Sequence, residues 1–473
     1  MKKADAFATI PRRLGSRRTV KERIRDFREF LLPLSERELV EQAERCMDCG
    51  VPFCHGGGCP VDNLIPLFNA AVSEGRWREA LQLLQQTNPF PEITGRICPA
   101  PCEHACTLDV HREPVTIRQL ELAIVERGFE QGWITPAPPV SRSGKRVAVI
   151  GSGPAGLAVS ERLNRYGHTV TVLEKSDRIG GLLRYGVPDF KLEKKVLDRR
   201  IDLLRAEGIE FLTEVEAGKD LSARYLLKYY DALCLAGGAE EPRKLVIAGA
   251  ELAGIHLAMD FLVQQNRRTA GDTIEQSRLI DARDKKCVVL GGGDTGADCV
   301  GTARRQGAKE IVQLEILPRP PESRTPDMPW PTVPRIFRAS SSHEEGCTQR
   351  FNVLTKEFTG SSGKATGLRA VEVQWSQPDD TGRRYMGEIP GTEFEMEADL
   401  IILALGFTGP VRGPLLEDLG IALEQNGSVA VDVGHQTSAP GVFCAGDMQS
   451  GPSTVVNALK AGREAAAAIH HTL

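Results

Sequence analysis

Seven of the twelve cysteines lie between residues 46 and 106: Cys46, Cys49, Cys54, Cys59, Cys98, Cys102 and Cys106. The stretch RCMDCGVPFCHGGGCP holds four of them, the last followed by Pro60. Thiols at this density form disulfides, grip zinc, or hold iron and sulfide. The opening residues MKKADAFATIPRR carry charge and proline where a secretory signal needs an apolar run, so a cytoplasmic location is expected. Thiols stay reduced there, which disfavours disulfides. Zinc sites use C-x2-C pairs. Here the gaps are two and four, then Cys59-Pro60, which is closer to the ferredoxin pattern. In that pattern three close cysteines bind one cluster and a fourth, before proline, serves another. With ICPAPCEHAC adding three, seven thiolates suit two 4Fe-4S clusters with one ligand missing. Structural zinc is the competing reading. His55 and His104 lie among the cysteines and read as neighbours rather than ligands. Cys234, Cys287, Cys299, Cys347 and Cys444 are scattered among apolar residues and read as small core residues.

The second chemistry is carried by glycines. RVAVIGSGPAGLAVSERLNRYGHTVTVLEK, 146 to 175, runs strand, glycine turn, helix, strand. Gly151, Gly153 and Gly156, with Pro154 and Ala155, allow close backbone approach, and the helix N-terminus meets a pyrophosphate with its amides. Glu174, at the end of the next strand, is placed to accept from an adenosine ribose. CVVLGGGDTGADCVGTARRQGAKEIVQLE, 287 to 315, repeats the pattern with Gly291, Gly293, Asp294, Thr295 and Gly296. Two units imply two dinucleotide sites.

These sites need a scaffold. With 473 residues, two or three domains are expected. Helical apolar spacing over 21 to 45 and 62 to 86 predicts helices flanking the cysteine loops. ITPAPPVSRSG, 134 to 144, is a linker too rich in proline for a helix. The fold class is α/β: two Rossmann-like domains of glutathione-reductase type preceded by an α-helical iron-sulfur domain. Expected boundaries are 1–140 for the helical domain, 141–280 and 400–473 for a discontinuous flavin domain, and 281–399 for the nicotinamide domain. Residues 340 to 395 read as strands and turns of the latter. Net charge is −4 with both signs interspersed, which gives no general attraction to nucleic acid. The basic run PRRLGSRRTVKERIR reads as a solvated or partner-facing arm. LIILALGF, the longest apolar run, is too short to span a bilayer.

RCMDCGVPFCH, TNPFPEITGRICPAPCEHACTL, VAVIGSGPAGLA, DRIGGLLRYGVPDFKL and LGGGDTGADCVGTA together resemble the small (β) subunit of glutamate synthase. The N-terminal half of dihydropyrimidine dehydrogenase is similar. The resemblance covers essentially the whole chain and implies an NAD(P)H-dependent enzyme using FAD and two 4Fe-4S clusters. It implies a large (α) subunit, carrying FMN and a 3Fe-4S cluster, that turns glutamine and 2-oxoglutarate into glutamate. Neither nucleic acid nor membrane is an expected partner. Because a hydride carries two electrons and a cluster takes one, flavin is the converter, and no conventional catalytic residue is expected. The resemblance adds Gly181 and Leu182 to the flavin contacts. VFCAGDMQSGPSTVVNALKAGREAA resembles a C-terminal flavin segment, with Gly446 and Asp447 at the ribityl or phosphate portion and Thr454 and Val455 amides at the ring. Ferredoxin logic and resemblance together give Cys46, Cys49, Cys54 and Cys106 to one cluster and Cys59, Cys98 and Cys102 to the other. Glu121 is carried over as the eighth ligand, where the dehydrogenase has glutamine. A related iron-sulfur flavoprotein with another partner, such as a ferredoxin:NAD(P) oxidoreductase, is the alternative enzyme, and a zinc-stabilised nucleotide sensor the alternative outside catalysis.

For the coenzyme the residues disagree. Glu315 ends the strand after the second glycine loop, where an acid suits NADH. Arg319 and Arg324 follow it, and Arg304 and Arg305 stand on the preceding helix, where guanidinium groups suit a 2'-phosphate. NADPH with Arg319 as phosphate contact is the expectation, with NADH possible.

Overall fold

The computed structural model describes residues 5–379 and 381–473. Both glycine units form as read. Arg146–Ile150 and Thr169–Glu174 pair in parallel, and the first sheet runs Val442–Cys444, Ala232–Leu235, Arg146–Ile150, Thr169–Glu174, Glu210–Thr213. The second is built alike from Ile255–Leu257, Leu400–Leu403, Lys286–Leu290, Glu310–Leu314 and Thr348–Arg350. Such strands are apolar without alternation because helices or a further layer cover both faces.

The boundaries differ from those expected. Leu400–Leu403 lies between Ile255–Leu257 and Lys286–Leu290, so it belongs to the nucleotide domain rather than the flavin domain. Ile255–Leu257 and the helix Ala258–Thr269 also precede the expected start at 281. LCLAGGA, 233 to 239, and LIILALGF, 400 to 407, are counterparts: each supplies the strand beside a glycine-loop strand, one per sheet. An antiparallel ribbon, Glu241–Pro242 with Phe407–Gly409, brings both crossings between the domains together. Residues 353 to 397 form a four-stranded antiparallel sheet as expected. Phe358, Leu368 and Ala370 pack from it onto Val288, Leu290 and Val312 of the second parallel sheet.

The N-terminal region is helical, but in shorter pieces than the spacing suggested. The 21–45 stretch gives Val20–Arg23 and Glu36–Glu44, separated around Pro33; Ser35 and Glu38 close a capping box on the second. The 62–86 stretch divides at Gly75 into Ile65–Ser73 and Trp77–Thr87. Apolar residues of this region, among them Phe68, Leu84 and Ile124, share one core with Val149, Leu157 and Ile469 of the first sheet's layer. Glu92, fully buried, accepts two hydrogen bonds from Arg200 at 2.6 and 3.0 Å, tying the cysteine-bearing domain to the helix Lys194–Ala206.

The basic arm is exposed along most of its length but is anchored at Arg23. Arg23 is 2% exposed and meets Glu345 at 2.8 Å, while Arg305 meets the same carboxylate at 2.5 and 2.9 Å. Arg305 also donates to the carbonyl of Asp26 at 3.0 Å. Two guanidinium groups around one buried acid strap the arm to the nucleotide domain, and Arg305 is therefore structural. No helix among the described residues is long and apolar enough to cross a membrane.

Candidate functional site

In the first cradle the glycines are required by contact. A Cβ on Gly156 would stand 2.0 Å from the carbonyl oxygen of Gly151, and one on Gly151 would stand 2.5 Å from that of Ala236. Gly153, by contrast, faces open space and caps the helix Pro154–Arg165, leaving the amides at its N-terminus free to meet phosphate. Glu174 is buried. Its Oε2 accepts from Ser152 N at 3.1 Å and Ser152 Oγ at 2.5 Å, and its Oε1 from Ser176 N at 2.8 Å. Ser152 Oγ also accepts from Gly180 N at 2.9 Å, so the loop holding Gly181 and Leu182 rests on the glycine turn. Gly446 packs against Ala155, and Asp447 follows it. Burial raises the Asp447 carboxyl, and Ser453 donates to it at 2.8 Å. Thr454 caps the helix Val455–Thr472, whose first amides point into the same region. The structure thus brings the first-cradle residues together with the C-terminal segment, in chain positions 300 residues apart.

The second cradle copies the first. Gly291 approaches Ala404 as Gly151 approaches Ala236, and Gly293 is open. Asp294, Thr295 and Gly296 open the helix Asp294–Gln306. Glu315 accepts from Gly292 N at 2.5 Å and Leu317 N at 2.8 Å, the same two-amide clasp that holds Glu174. Its carboxylate is therefore held beside the second glycine turn as that of Glu174 is beside the first. Arg319 is half-exposed, donates to Glu322 at 2.6 Å and lies over the Phe337 ring at 4.1 Å. Arg324 reaches the other way, to the carbonyl of His104 at 2.9 Å.

The cysteines fall into two groups. Burial chiefly raises the thiols of Cys46 and Cys54, the latter to about 12, and the neighbouring Cys106 and Cys49 raise both further. Burial also raises Cys106, with Cys49 acting on it. In the second group burial pushes Cys59 and Cys98 up to about 12, and Glu121 acts on both. Cys102 is held well above its ordinary value by burial, then by Glu121 and Cys59. Thiols this reluctant to ionise in water release their protons to a metal. Cys46, Cys49, Cys54 and Cys106 thus lie within electrostatic reach of one another, as do Cys59, Cys98 and Cys102 with Glu121. Among the described residues no three histidine, cysteine or acidic side chains converge to hold a lone metal ion. A four-iron cage takes its sulfurs from wider apart than a tetrahedron about one ion does.

The inner group encloses a small cavity lined by Cys59, Cys98, Cys102, Glu121, Asn63 and Val456. Glu121 comes from the helix Ile117–Glu130. Burial raises its carboxyl to about 7, opposed by Asn63, whose Nδ2 donates to it at 2.7 Å. Three thiols and a buried carboxylate thus line one cavity, a set of donor types that suits an iron-sulfur cluster. Val456 belongs to the helix that Thr454 caps, so the inner group touches the C-terminal segment of the first cradle. The outer group is nearer solvent: Val51 is 73% and Phe53 37% exposed between Cys49 and Cys54. His55 Nδ1 donates to the carbonyl of Asn63 at 2.8 Å, and His104 lies 3.7 Å from Asp109.

Sequence reasoning missed three contributors. Asn63 and Val456 line the inner cavity. Trp330, from a proline-rich loop of the nucleotide domain, donates from Nε1 to the carbonyl of Cys106 at 3.3 Å. Only the isolated aromatic in DMPWPTVP marked that loop. A separate open cleft of about 980 Å³ is lined by mixed charges including Asp26, Arg178, Asp198 and Arg268, with no cysteine in its lining.

Residues 145–462 match the family described as pyridine nucleotide-disulphide oxidoreductase, and residues 23–133 the dihydropyrimidine dehydrogenase domain II, 4Fe-4S cluster. The glutamate synthase [NADPH] small chain of Mycobacterium tuberculosis is 51% identical over 465 residues, covering 98% of this chain and 94% of that one. That of Bacillus subtilis is 42% identical, covering 98% and 97%. The structure of Mycobacterium tuberculosis FprA in complex with NADPH superposes with a TM-score of 0.55 at 20% identity, over 69% of this chain and 84% of that one, and shows the shared two-cradle fold. With a 4Fe-4S domain packed on a pyridine-nucleotide oxidoreductase fold, and this similarity along nearly its whole length, the chain belongs to the glutamate synthase small-chain family.

Proposed function

We propose that this chain is the electron-input subunit of a glutamate synthase: it oxidises NADPH at FAD and passes electrons through two 4Fe-4S clusters to a large subunit that makes L-glutamate from L-glutamine and 2-oxoglutarate. One observation carries the reading: the inner cysteine group lies against Val456, at the start of the helix that closes the first cradle, while the outer group lies near solvent. That order gives electrons a route from the flavin site outward. Bound FAD supplies the conversion from hydride to single electrons.

The protein's residues position and insulate. Gly153 and the amides of the helix Pro154–Arg165 would hold the FAD pyrophosphate, and Glu174 its ribose. The Thr454 and Val455 amides would serve its ring, and Asp447 its ribityl or phosphate portion. Gly293 and the amides of Asp294–Gln306 would hold the nicotinamide coenzyme. Cys46, Cys49, Cys54 and Cys106 would bind the outer cluster, and Cys59, Cys98, Cys102 and Glu121 the inner. No side chain is required to move a proton during hydride transfer.

NADPH rests on the small-chain relatives, whose names specify it, with Arg319 as the nearest cation beyond Glu315. A second reading, NADH, is favoured by Glu315, whose two-amide clasp matches that of Glu174 and leaves its charge where a 2'-phosphate would sit. The test is the purified chain, which should be brown, contain FAD and about eight irons, and reduce an artificial acceptor with NADPH while making no glutamate. Glutamate formation should appear only when an FMN-containing large chain is added. Zinc in place of iron, or glutamate made by this chain alone, would refute the reading.

A further inference from the structure

The segment after Glu310–Leu314 does not return directly to its own sheet. It crosses to the cysteine-bearing domain, and Trp330 is its deepest contact there. The indole Nε1 donates to the Cys106 carbonyl at 3.3 Å, and the ring lies 4.6 Å from that of Phe53, the residue before Cys54. Arg324 pins the approach: its Nη2 donates to the His104 carbonyl at 2.9 Å and to Asp109 at 3.2 Å, and its Nη1 to the Thr332 carbonyl at 2.6 Å. The base of the loop is closed by Phe337 N donating to the Pro321 carbonyl at 2.8 Å. Prolines at 321, 326, 329, 331 and 334 restrict the backbone between. A proline-rich loop thus holds one indole against the backbone of Cys106 and the ring that precedes Cys54. Elsewhere around the group Val51 is largely exposed and, among the described residues, Gly56 faces open space.

Resting on the assignment of Cys46, Cys49, Cys54 and Cys106 to the outer cluster, we propose that Trp330, supplied by the nucleotide domain, is the positioning residue that seals that cluster from water and sets its reduction potential. A cluster gains negative charge when it takes an electron, and water stabilises that charge; exposure and hydrogen bonding are among the determinants of potential. The indole excludes water on the Cys54–Cys106 side. Its N–H fixes the Cys106 carbonyl, and with it the angle at which that cysteine presents its sulfur. The nucleotide domain therefore contributes to two redox sites: the one its glycine loop cradles, and the outer cluster at the opposite end of the electron route.

The experiment is an EPR-monitored redox titration of the full chain with its clusters, comparing wild type, Trp330→Phe and Trp330→Ala. Trp330→Ala should raise the outer cluster's midpoint potential and speed its bleaching by oxygen several-fold, with the inner cluster and the flavin unchanged. Trp330→Phe, which keeps a ring and loses the donor, should fall between. Equal potentials and equal bleaching in all three would overturn the proposal. So would loss of both clusters in Trp330→Ala together with an unshifted Trp330→Phe, because that pattern marks a folding role alone. Cys49→Ala, which leaves no donor atom, separates this from the underlying reading: unchanged iron in that variant would remove the outer cluster itself from these residues.

Discussion

Replacing Glu121 with glutamine tests the least conventional of the ligands. Burial lifts its carboxyl from 4.5 to about 7, and Asn63 offsets part of that rise. At 1.36 kcal/mol per pH unit the ionised form is disfavoured by about 3 kcal/mol, an undiscounted value because the group is wholly enclosed. The folded value lies above the ordinary one, so without metal this group's share of stability is complete below about pH 4.5 and is lost as pH rises through about 7. An iron at the site reverses the preference, since only the ionised carboxylate binds well. Below about pH 7, uptake of the inner cluster must therefore displace one more proton in wild type than in Glu121→Gln, about a tenfold steeper loss of affinity per pH unit. Above that pH the two curves should run parallel, because burial keeps the thiols protonated up to about pH 8 in both. The assay is anaerobic reconstitution followed by iron content and EPR across about pH 5 to 8. Glu121→Ala, with no oxygen to offer, should retain about four of eight irons. Parallel curves over the whole range, or full iron in Glu121→Ala, would show that the carboxylate is not a ligand.

Glu92→Ala strands the buried Arg200 guanidinium between two domains. It should cost about 3–5 kcal/mol, measured by denaturant unfolding, with a loss under 1 kcal/mol counting against a role in holding the domains. Gly156→Ala places a methyl where Gly151's carbonyl already stands; the purified variant should lack flavin absorbance while keeping its iron. Arg319→Ala should lower kcat/KM for NADPH about tenfold relative to NADH, the worth of one charge-assisted contact. An undiminished NADPH preference would leave Glu315 as the residue that sets selectivity.

Local patterns were legible because they answer to local physics. The two glycine loops needed only short contacts between neighbours, and the acids that follow them were placed by strand length. The cysteine groups were legible as a ferredoxin-like spacing joined to a family resemblance, and the thiols' mutual influence in the folded chain runs along the same division. Longer-range facts were not. LIILALGF reads equally as a strand of either sheet, because a central parallel strand is apolar whichever domain owns it. The arm from 11 to 25 looks solvated from its charge alone; Glu345, more than 300 residues later, is what makes burial of Arg23 possible. Trp330 carries no motif at all, since its role depends on where a loop lands.

The domains are joined unequally, and electron transfer explains why. Tunnelling between flavin and cluster falls steeply with distance, so their separation must be fixed. The cysteine domain and the first sheet's layer share one apolar core, and the helix Val455–Thr472 reaches from the flavin segment to Val61 and Thr87, whose carbonyls both accept from Arg463. Arg200 and Glu92 add a buried pair across the same boundary. The nucleotide domain is held otherwise: by the ribbon Glu241–Pro242 with Phe407–Gly409, by the arm around Glu345, by Lys191 meeting Asp298 at 2.5 Å, and by the loop that ends on Trp330. Those are polar or peripheral ties rather than a continuous core. A coenzyme that must bind and leave is served by the looser attachment, while the centres that never leave are set in the common core.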